Sequence, residues 1–225
     1  RQIAKSGRKI LFVATKKQAR DIVSKAALSV GMPFVTERWL GGMMTNFNTV
    51  RKSVKKMQNI DTMLKDGTLA SVTKKERLTL NRERNKLEKV LGGIANLNRL
   101  PAALFIVDTV KEHIAVDEAI NLGIPTLAIN DTNSDPSLID FPIPANDDAS
   151  KSIELIMHIM VKSIEEGLAE RKVDKEQERE REAANEEESD DRKMSAVADE
   201  DGGDAPSGGG NPKGGPRPRK AGPRK

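Results

Sequence analysis

The sequence predicts an α/β fold: a doubly wound, mainly parallel sheet with an inserted antiparallel helical hairpin and a disordered C-terminal tail. Two observations predict the sheet. Short apolar runs alternate with helical patterns, and each run is continuous, as in strands buried on both faces. A third observation predicts the tail. Only 36% of the 225 residues are hydrophobic and 3% are aromatic, too little for the whole chain to pack.

The first half of the sheet is predicted near the start of the chain. Residues 9–14 contain the apolar run of the first strand, and residues 17–30 follow with apolar positions at helical spacing. Gly31 ends this helix. A short second strand at 34–36 then leads into a loop that contains the pair Gly41-Gly42.

The inserted hairpin is predicted over residues 51–94. Narrow apolar stripes run through 45–65 and 73–94, with Lys and Arg on the other faces and a break at Asp66-Gly67-Thr68. Two such helices joined by a short turn are typical of an antiparallel pair. The first half of the insertion could instead be core, but it has too little apolar area.

Strands and helices alternate again after the hairpin. Strands are predicted at 102–108, 125–130 and 143–144, and helices at 112–122 and 150–168. The sheet domain therefore comprises 1–50 and 95–171. Residues 172–225 are first acidic and then basic, with few large apolar side chains, and we expect them to be disordered apart from a few helical turns at the start.

Charge is distributed unevenly along the chain. The first hundred residues carry a net charge of +15, and the next fifty carry −8. A bipolar protein of this kind has one surface suited to a polyanion, although uneven loops on a soluble protein would be the simpler alternative. Cysteine is absent, which excludes disulfides and thiolate metal sites. No apolar run is long enough to predict a membrane span.

The most distinctive segment is 38–49, Arg-Trp-Leu-Gly-Gly-Met-Met-Thr-Asn-Phe-Asn-Thr, followed by the basic run 51–56. Together these residues resemble a signature of the bacterial small-subunit ribosomal protein S-two family. The resemblance continues through 9–19, 100–108, 131–136 and 143–150, and covers 6–168. Family members carry a further segment before the first strand. Because residues 1–5 look like the end of a helix, we expect that segment to be missing from this chain.

The resemblance implies a structural, non-enzymatic constituent of the small ribosomal subunit in the cytoplasm. Such a protein would lie on the back of the particle between head and body and bind small-subunit ribosomal RNA. It would contact neighbouring small-subunit proteins and help to recruit the large S-one protein near the path of messenger RNA. The resemblance implies no cofactor, no metal, no membrane and no small-molecule substrate.

The rival hypothesis is a nucleotide-binding α/β enzyme, because doubly wound sheets bind ligands at the carboxyl ends of their strands. The turn after the first strand reads Thr15-Lys16-Lys17-Gln18, which is neither a G-x-G-x-x-G sequence nor a P-loop. His113 and His158 lack the spacing of a zinc helix. Oxygen ligands for Mg²⁺ could come from Asp131, Asp135, Asp140, Asp147 and Asp148, but turn and capping roles are favoured for most of them.

The predicted RNA contacts combine cations for phosphates with amides and glycines that allow close approach. They are Lys16, Lys17, Arg38, Gly41, Gly42, Asn46, Asn48, Arg51, Lys52, Lys55, Lys56, Lys74, Lys75 and Arg77. Four of them form two i, i+4 pairs on adjoining faces of one helix, which would make a ridge of positive charge. Trp39 could stack on a base, but its apolar neighbours favour a role in anchoring the loop to the core.

Overall fold

A computed structural model describes residues 1–66 and 73–200, and side chains as far as residue 182. Its sheet has five strands, all paired in parallel, in the order β2-β1-β3-β4-β5. The strands are β1 Ile10–Val13, β2 Phe34–Val35, β3 Ala103–Val107, β4 Thr126–Asn130 and β5 Phe141–Pro144. This order is the doubly wound arrangement with its switch point between β1 and β3. The predicted fold class is confirmed.

The helices separate and cover these strands. They are α1 Gln2–Lys5, α2 Lys17–Ser29, α3 Phe47–Lys65, α4 Lys74–Leu91, α5 His113–Leu122 and α6 Ser150–Glu200. Short 3-10 turns occupy Gly92–Ile94 and Pro136–Leu138. Gly123 ends α5 in the left-handed region at φ 62°, a conformation that favours glycine.

Both faces of the sheet are packed, which explains why β1 and β3 are apolar along their whole length. On one face, the rings of Phe12 and Phe105 lie 5.4 Å apart under α2 and α6. On the other face, Leu11 and Leu104 pack beneath α5 and the base of the hairpin. The burial of these side chains supplies the main stabilising term of the fold.

The hairpin consists of α3 and α4, with its base in the core and most of its length exposed. Val54 and Leu91 are buried at the base. Near the other end, Arg84 of α4 donates to Asp61 of α3 at 2.6 Å. Gly93 lies so close to the carbonyl oxygen of Phe34 that an added Cβ would collide with it. The base is therefore pressed against β2, while the assignment of 51–94 as a domain of its own stays a prediction.

The last helix is longer than the sequence pattern predicted. It was expected to end near residue 168 with a few further turns beyond, and α6 spans Ser150–Glu200. Glu, Ala, Lys and Arg dominate the helix beyond residue 168, and these residues have high helix propensity without needing to be packed. The assignment of 172–225 as a disordered tail stays a prediction. The chain divides into the compact units Arg1–Lys175 and Glu176–Lys225. The predicted basic end, 205–225, lies outside the described residues.

No helix in the part of the chain that the structure describes is both long and apolar enough to cross a membrane.

Candidate nucleic-acid interface

The loop between β2 and α3 is held by one buried carboxylate, that of Glu118 on α5. Glu118 is 5% exposed. Its Oε1 accepts hydrogen bonds from the indole Nε1 of Trp39 at 3.0 Å and the backbone N–H of Gly42 at 2.8 Å. Its Oε2 accepts from the backbone N–H of Met44 at 2.8 Å and of Thr45 at 2.9 Å, and from the Thr45 hydroxyl at 3.2 Å. The loop therefore has one well-determined conformation.

Burial by itself would raise the pKa of Glu118, but the hydrogen bonds from Thr45, Met44, Trp39 and Gly42 lower it below its ordinary value. The carboxylate is consequently ionised at neutral pH. A ring of inward-pointing backbone N–H groups resembles an anion-binding nest, and here the anion is the protein's own. These N–H groups are not available to a phosphate, so a partner could contact the loop only through its outward-facing side chains and carbonyl groups.

Trp39 is an anchor of this loop, as its apolar neighbours indicated. It is 5% exposed and packs in the core beneath the hairpin base. An indole that is buried and already donates its N–H to Glu118 cannot stack on a base without unfolding the loop. Leu40, by contrast, is 38% exposed and lies on the outer side of the loop.

The two glycines of the loop have different requirements. Gly42 has φ +84°, which strains any other L-residue, and an added Cβ would meet the Cβ of Asn46 at 3.3 Å. Gly41 has no positive φ, and an added Cβ would meet nothing within 4 Å. Only Gly42 is thus needed for the fold of the loop. A requirement for glycine at position 41 would have to come from a partner.

The predicted contact Lys16 is directed into the protein. Its ammonium lies 2.7 Å from Asp147, 2.6 Å from Asp148 and 3.3 Å from Asp108. Partial burial would lower the pKa of Lys16, but hydrogen bonds to these three carboxylates raise it well above its ordinary value. Its surroundings argue against a phosphate contact, and we leave Lys16 out of the proposed interface. Lys17, the next residue, is exposed in the first turn of α2.

A second carboxylate occupies the place where a nucleotide phosphate would bind after β1. The backbone N–H of Thr15 donates to Oε1 of Glu112 at 3.1 Å, and its hydroxyl donates to the same oxygen. Burial raises the pKa of Glu112, which the hydrogen bonds from Thr15 only partly oppose. At the switch point of the sheet, Glu112 thus occupies the hydrogen-bond donors of Thr15, and both residues line a cavity of about 310 Å³.

The aspartates considered as Mg²⁺ ligands have internal partners instead. Asp135 accepts from the backbone N–H of Ser137 at 2.9 Å and caps the 3-10 turn, as predicted. Asp140 accepts from the N–H of Thr126 at 2.9 Å. Among the described residues there is no group of three His, Asp or Glu side chains arranged to hold a metal ion.

The remaining predicted contacts divide into two groups on the hairpin and its approach. The first group lies on the loop and the start of α3, where the exposed residues are Arg38, Gly41, Asn46, Asn48, Lys52, Lys55 and Lys56. The second group, Lys74, Lys75 and Arg77, is exposed in the first turn of α4. Because Lys56 pairs with Glu83, nine residues along α4 from Lys74, the two groups approach to within about 13 Å along the hairpin.

Two members of the first group have partners within the protein. The guanidinium of Arg51 donates to the carbonyl oxygen of Asn98 at 3.0 Å, and the ammonium of Lys56 pairs with Glu83 on α4. Lys52 and Lys55 have no ion pair among the described residues and face away from the buried stripe of Val54. Of the cations on this face, Lys52 and Lys55 are thus the best placed to bind an anionic partner.

Comparison with known proteins gives a consistent assignment. A family model described as Ribosomal protein S2 matches residues 1–167. The chain belongs to the ribosomal protein S2 family. A protein named small ribosomal subunit protein uS2 from Cytophaga hutchinsonii is 62% identical over 173 residues, 77% of this chain and 68% of that protein. Proteins of the same name from Porphyromonas gingivalis and Flavobacterium psychrophilum are 62% and 60% identical.

These alignments cover 77% and 78% of this chain, and 62% and 66% of the two relatives. The chain thus spans about two thirds or less of the curated relatives' length. Membership in the ribosomal protein S2 family confirms the resemblance carried by the loop, the basic run and the strand segments.

Sequence reasoning missed Glu118, the residue that organises the loop between β2 and α3. A single signal could have found it: Glu118 lies between Asp117 and Ala119 on a helix where positions 115, 116 and 119 are apolar and buried. A carboxylate on the core side of a helix needs hydrogen-bond partners. Its partners, however, are more than seventy residues away in the chain.

Proposed function

We propose that this chain is a structural, non-enzymatic constituent of the small ribosomal subunit in the cytoplasm, and that it binds small-subunit ribosomal RNA. The interface would comprise the outward side of the loop at 38–48 and the outer face of α3. The observation that carries this proposal is the pair of exposed cations Lys52 and Lys55, which have no ion pair among the described residues, beside a loop held rigid by Glu118. Membership in the ribosomal protein S2 family supports the same conclusion.

The chemistry of this face suits a nucleic acid. Lys52 and Lys55 provide positive charge for phosphates, while the exposed amides of Asn46 and Asn48 can bind 2′-hydroxyl groups or base edges. The rigid loop lowers the entropy cost of binding, because its conformation is already determined before RNA arrives. Gly41 adds an open backbone position where RNA can approach closely.

The first turn of α4 is a secondary candidate contact. Lys74 and Lys75 lie at a helix N-terminus, where positive charge opposes the helix dipole and destabilises the helix. Thr73 and Glu76 offset part of this destabilisation, since the Thr73 hydroxyl accepts a hydrogen bond from the backbone N–H of Glu76 at 3.4 Å. A local arrangement that costs stability is common at functional sites, and here it would place cations on RNA.

By family resemblance alone, we also propose contacts with neighbouring small-subunit proteins and support for recruitment of the large S-one protein. No particular residue carries this part of the proposal. It is tested by measuring how much S-one protein remains on small subunits that lack the present protein, relative to subunits to which it has been added back. Equal amounts on both would contradict it.

The nucleotide-binding enzyme is disfavoured. The backbone N–H of Thr15, which would bind a phosphate after β1, donates to Glu112. Lys16, the only basic residue of that turn besides Lys17, is surrounded by three carboxylates. An anionic ligand would have to displace the carboxylate of Glu112 and approach the three carboxylates around Lys16.

The test compares two charge-matched double variants in RNA binding at several salt concentrations. Lys52→Ala/Lys55→Ala removes the two cations of the proposed interface. Lys25→Ala/Lys162→Ala removes two exposed lysines from α2 and α6, which cover the opposite face of the sheet. Each phosphate contact contributes about 0.7 to 0.9 to the slope of log K against log salt, so the first variant should lose about 1.5 units.

The control variant should keep the wild-type slope. Replacing Arg51 and Lys56 as well should reduce the slope by about two to four units in total. The additional loss is expected if Arg51 and Lys56 exchange their partners within the protein for RNA phosphates on binding. Equal slopes for the wild type and for Lys52→Ala/Lys55→Ala would show that this face does not meet RNA.

A further inference from the structure

A groove with an apolar floor runs along the outer side of α5, between this helix and the segment that leads into β5. It consists of two adjoining cavities of about 310 Å³ and 260 Å³, both lined in part by Leu138. Val110 and Ile120 line opposite ends. We call this surface the α5 groove and define it by Val110, Asp117, Ile120, Leu138 and Asp140.

The floor of the α5 groove contains three large apolar side chains that are about half exposed. Val110, Ile120 and Leu138 are 52%, 51% and 53% exposed. Contiguous apolar side chains of this kind mark binding surfaces on proteins that are otherwise polar. A partner that covered them would gain the free energy of their burial.

The rim of the groove is acidic. Asp117 and Asp135 line the first cavity and Asp140 the second, and no Lys or Arg in the described part of the chain lines either cavity. Two of these carboxylates are held in place by hydrogen bonds, Asp135 to Ser137 and Asp140 to Thr126. A rim of this charge repels phosphate and attracts a cationic partner. The groove is therefore suited to a basic polypeptide and not to RNA.

The neighbouring sheet edge excludes one mode of peptide binding. The backbone N–H of Ala145 donates to the carbonyl oxygen of Asn130 on β4. Because backbone N–H groups alternate in direction along a strand, positions 142 and 144 of β5 face outward, and both are proline. The outward edge thus has no N–H donors for an added strand at these positions. A partner at this side of the protein would bind as a helix in the groove.

We propose that the α5 groove binds an amphipathic helix of another small-subunit protein, with apolar residues on Leu138 and lysine or arginine beside Asp117 and Asp140. That the partner belongs to the small subunit rests on the proposed function, whereas the charge preference of the groove does not. The chain's own basic end is a poor occupant, because residues 205–225 contain no large apolar side chain.

The first experiment uses the isolated protein and two synthetic amphipathic peptides of about 14 residues, four helical turns. One peptide carries Leu on one face and Lys on the other, and the second replaces every Lys with Glu. The Lys peptide should bind and perturb the NMR signals of Leu138 and Ile120, and the Glu peptide should not. Asp117→Lys should weaken binding about fivefold, the effect of one charge reversal at an exposed site.

The matched control is Asp21→Lys, a charge reversal of an exposed aspartate on α2, which packs on the opposite face of the sheet. It should leave the affinity for the Lys peptide unchanged. Binding that is equally weakened by both variants, equal binding of the two peptides, or no perturbation of Leu138 would overturn the proposal.

The second experiment identifies the partner in small subunits isolated from cells. A photo-crosslinking phenylalanine analogue replaces Leu138, and in a control chain it replaces Leu155, which is 63% exposed on α6. The Leu138 position should crosslink to one protein through a peptide rich in Lys or Arg and apolar residues, and Leu155 should not crosslink to that peptide. A crosslink to RNA, to a second copy of this chain or to no protein would overturn the proposal.

Sedimentation of the crosslinking chains separates the two hypotheses. Failure of both chains to enter small subunits would count against the proposed function, and the peptide experiment would then decide the groove by itself. Normal entry without the predicted crosslink would count against the groove alone.

Discussion

Replacing Glu118 should destabilise the loop that carries Trp39 more than any exposed substitution in the chain. Two of the donors that it satisfies, the indole N–H of Trp39 and the backbone N–H of Met44, are fully buried. Leaving a buried donor unpaired costs about 1–3 kcal/mol. The donors of Gly42 and Thr45 are partly buried, so water can replace the carboxylate there at lower cost. We therefore expect Glu118→Ala to lose about 2–6 kcal/mol of unfolding free energy.

Glu118→Gln should also be destabilising, although it keeps the shape of the side chain. Each carboxylate oxygen accepts at least two hydrogen bonds, so the amide nitrogen that replaces one oxygen would face donors in either orientation. The variant also removes a pH dependence. The folded pKa of Glu118 lies below its unfolded value, so its contribution is fully present above the unfolded pKa and is lost as the pH falls through the folded pKa.

The assay is urea unfolding followed by two signals. The fluorescence of Trp39, the single tryptophan, reports on the loop, and far-ultraviolet circular dichroism reports on the whole fold. Asp117→Asn provides the matched control, because Asp117 is the exposed neighbour of Glu118 on α5. A loss below about 0.5 kcal/mol for Glu118→Ala with unchanged Trp39 fluorescence would refute the reasoning, since this is the range of neutral surface substitutions.

Three further predictions concern other parts of the chain. Gly42→Val should lower the urea midpoint because Gly42 has φ +84°, whereas Gly41→Val should leave the midpoint unchanged. If Gly41→Val keeps its stability but no longer enters small subunits, close approach of RNA to position 41 is the cause that we expect. Glu112→Gln should raise the free energy of unfolding at neutral pH. The folded pKa of Glu112 is raised, so the stability that its protonated form provides is lost as the pH rises through that pKa, and the gain from Gln should disappear in acid. A lower urea midpoint for Glu112→Gln than for the wild type at pH 7 would contradict this. Truncation after Lys175 should leave the melting temperature of the remaining unit unchanged, and a clear decrease would show that the C-terminal segment packs on it.

The elements of this fold could be predicted because their signals are local. The apolar runs of β1 and β3 have no polar interruption, since both faces of the sheet are covered. Gly31 and Gly123 follow the ends of α2 and α5 closely and take up positive φ, which is why helix ends could be read from glycine positions. The family signature around the Gly-Gly loop is equally local. The end of α6 was placed near residue 168 because its apolar pattern ends there, whereas α6 spans Ser150–Glu200 and charged residues of high propensity extend a helix without a core.

Local patterns in the sequence were enough to predict the strand and helix order, the basic character of the hairpin and the position of the loop. Which charged residues are available to a partner depends on contacts between distant segments, and these appear only in the folded structure. Lys16 and Lys17 are adjacent in the chain, yet Lys16 is paired with Asp147, 131 residues away, and Lys17 is exposed. Glu118 likewise accepts a hydrogen bond from Trp39, 79 residues away in the chain. Charge and hydropathy patterns report the preference of a segment for water or core, but hydrogen bonds and ion pairs between distant segments exist only once the sheet has brought them together.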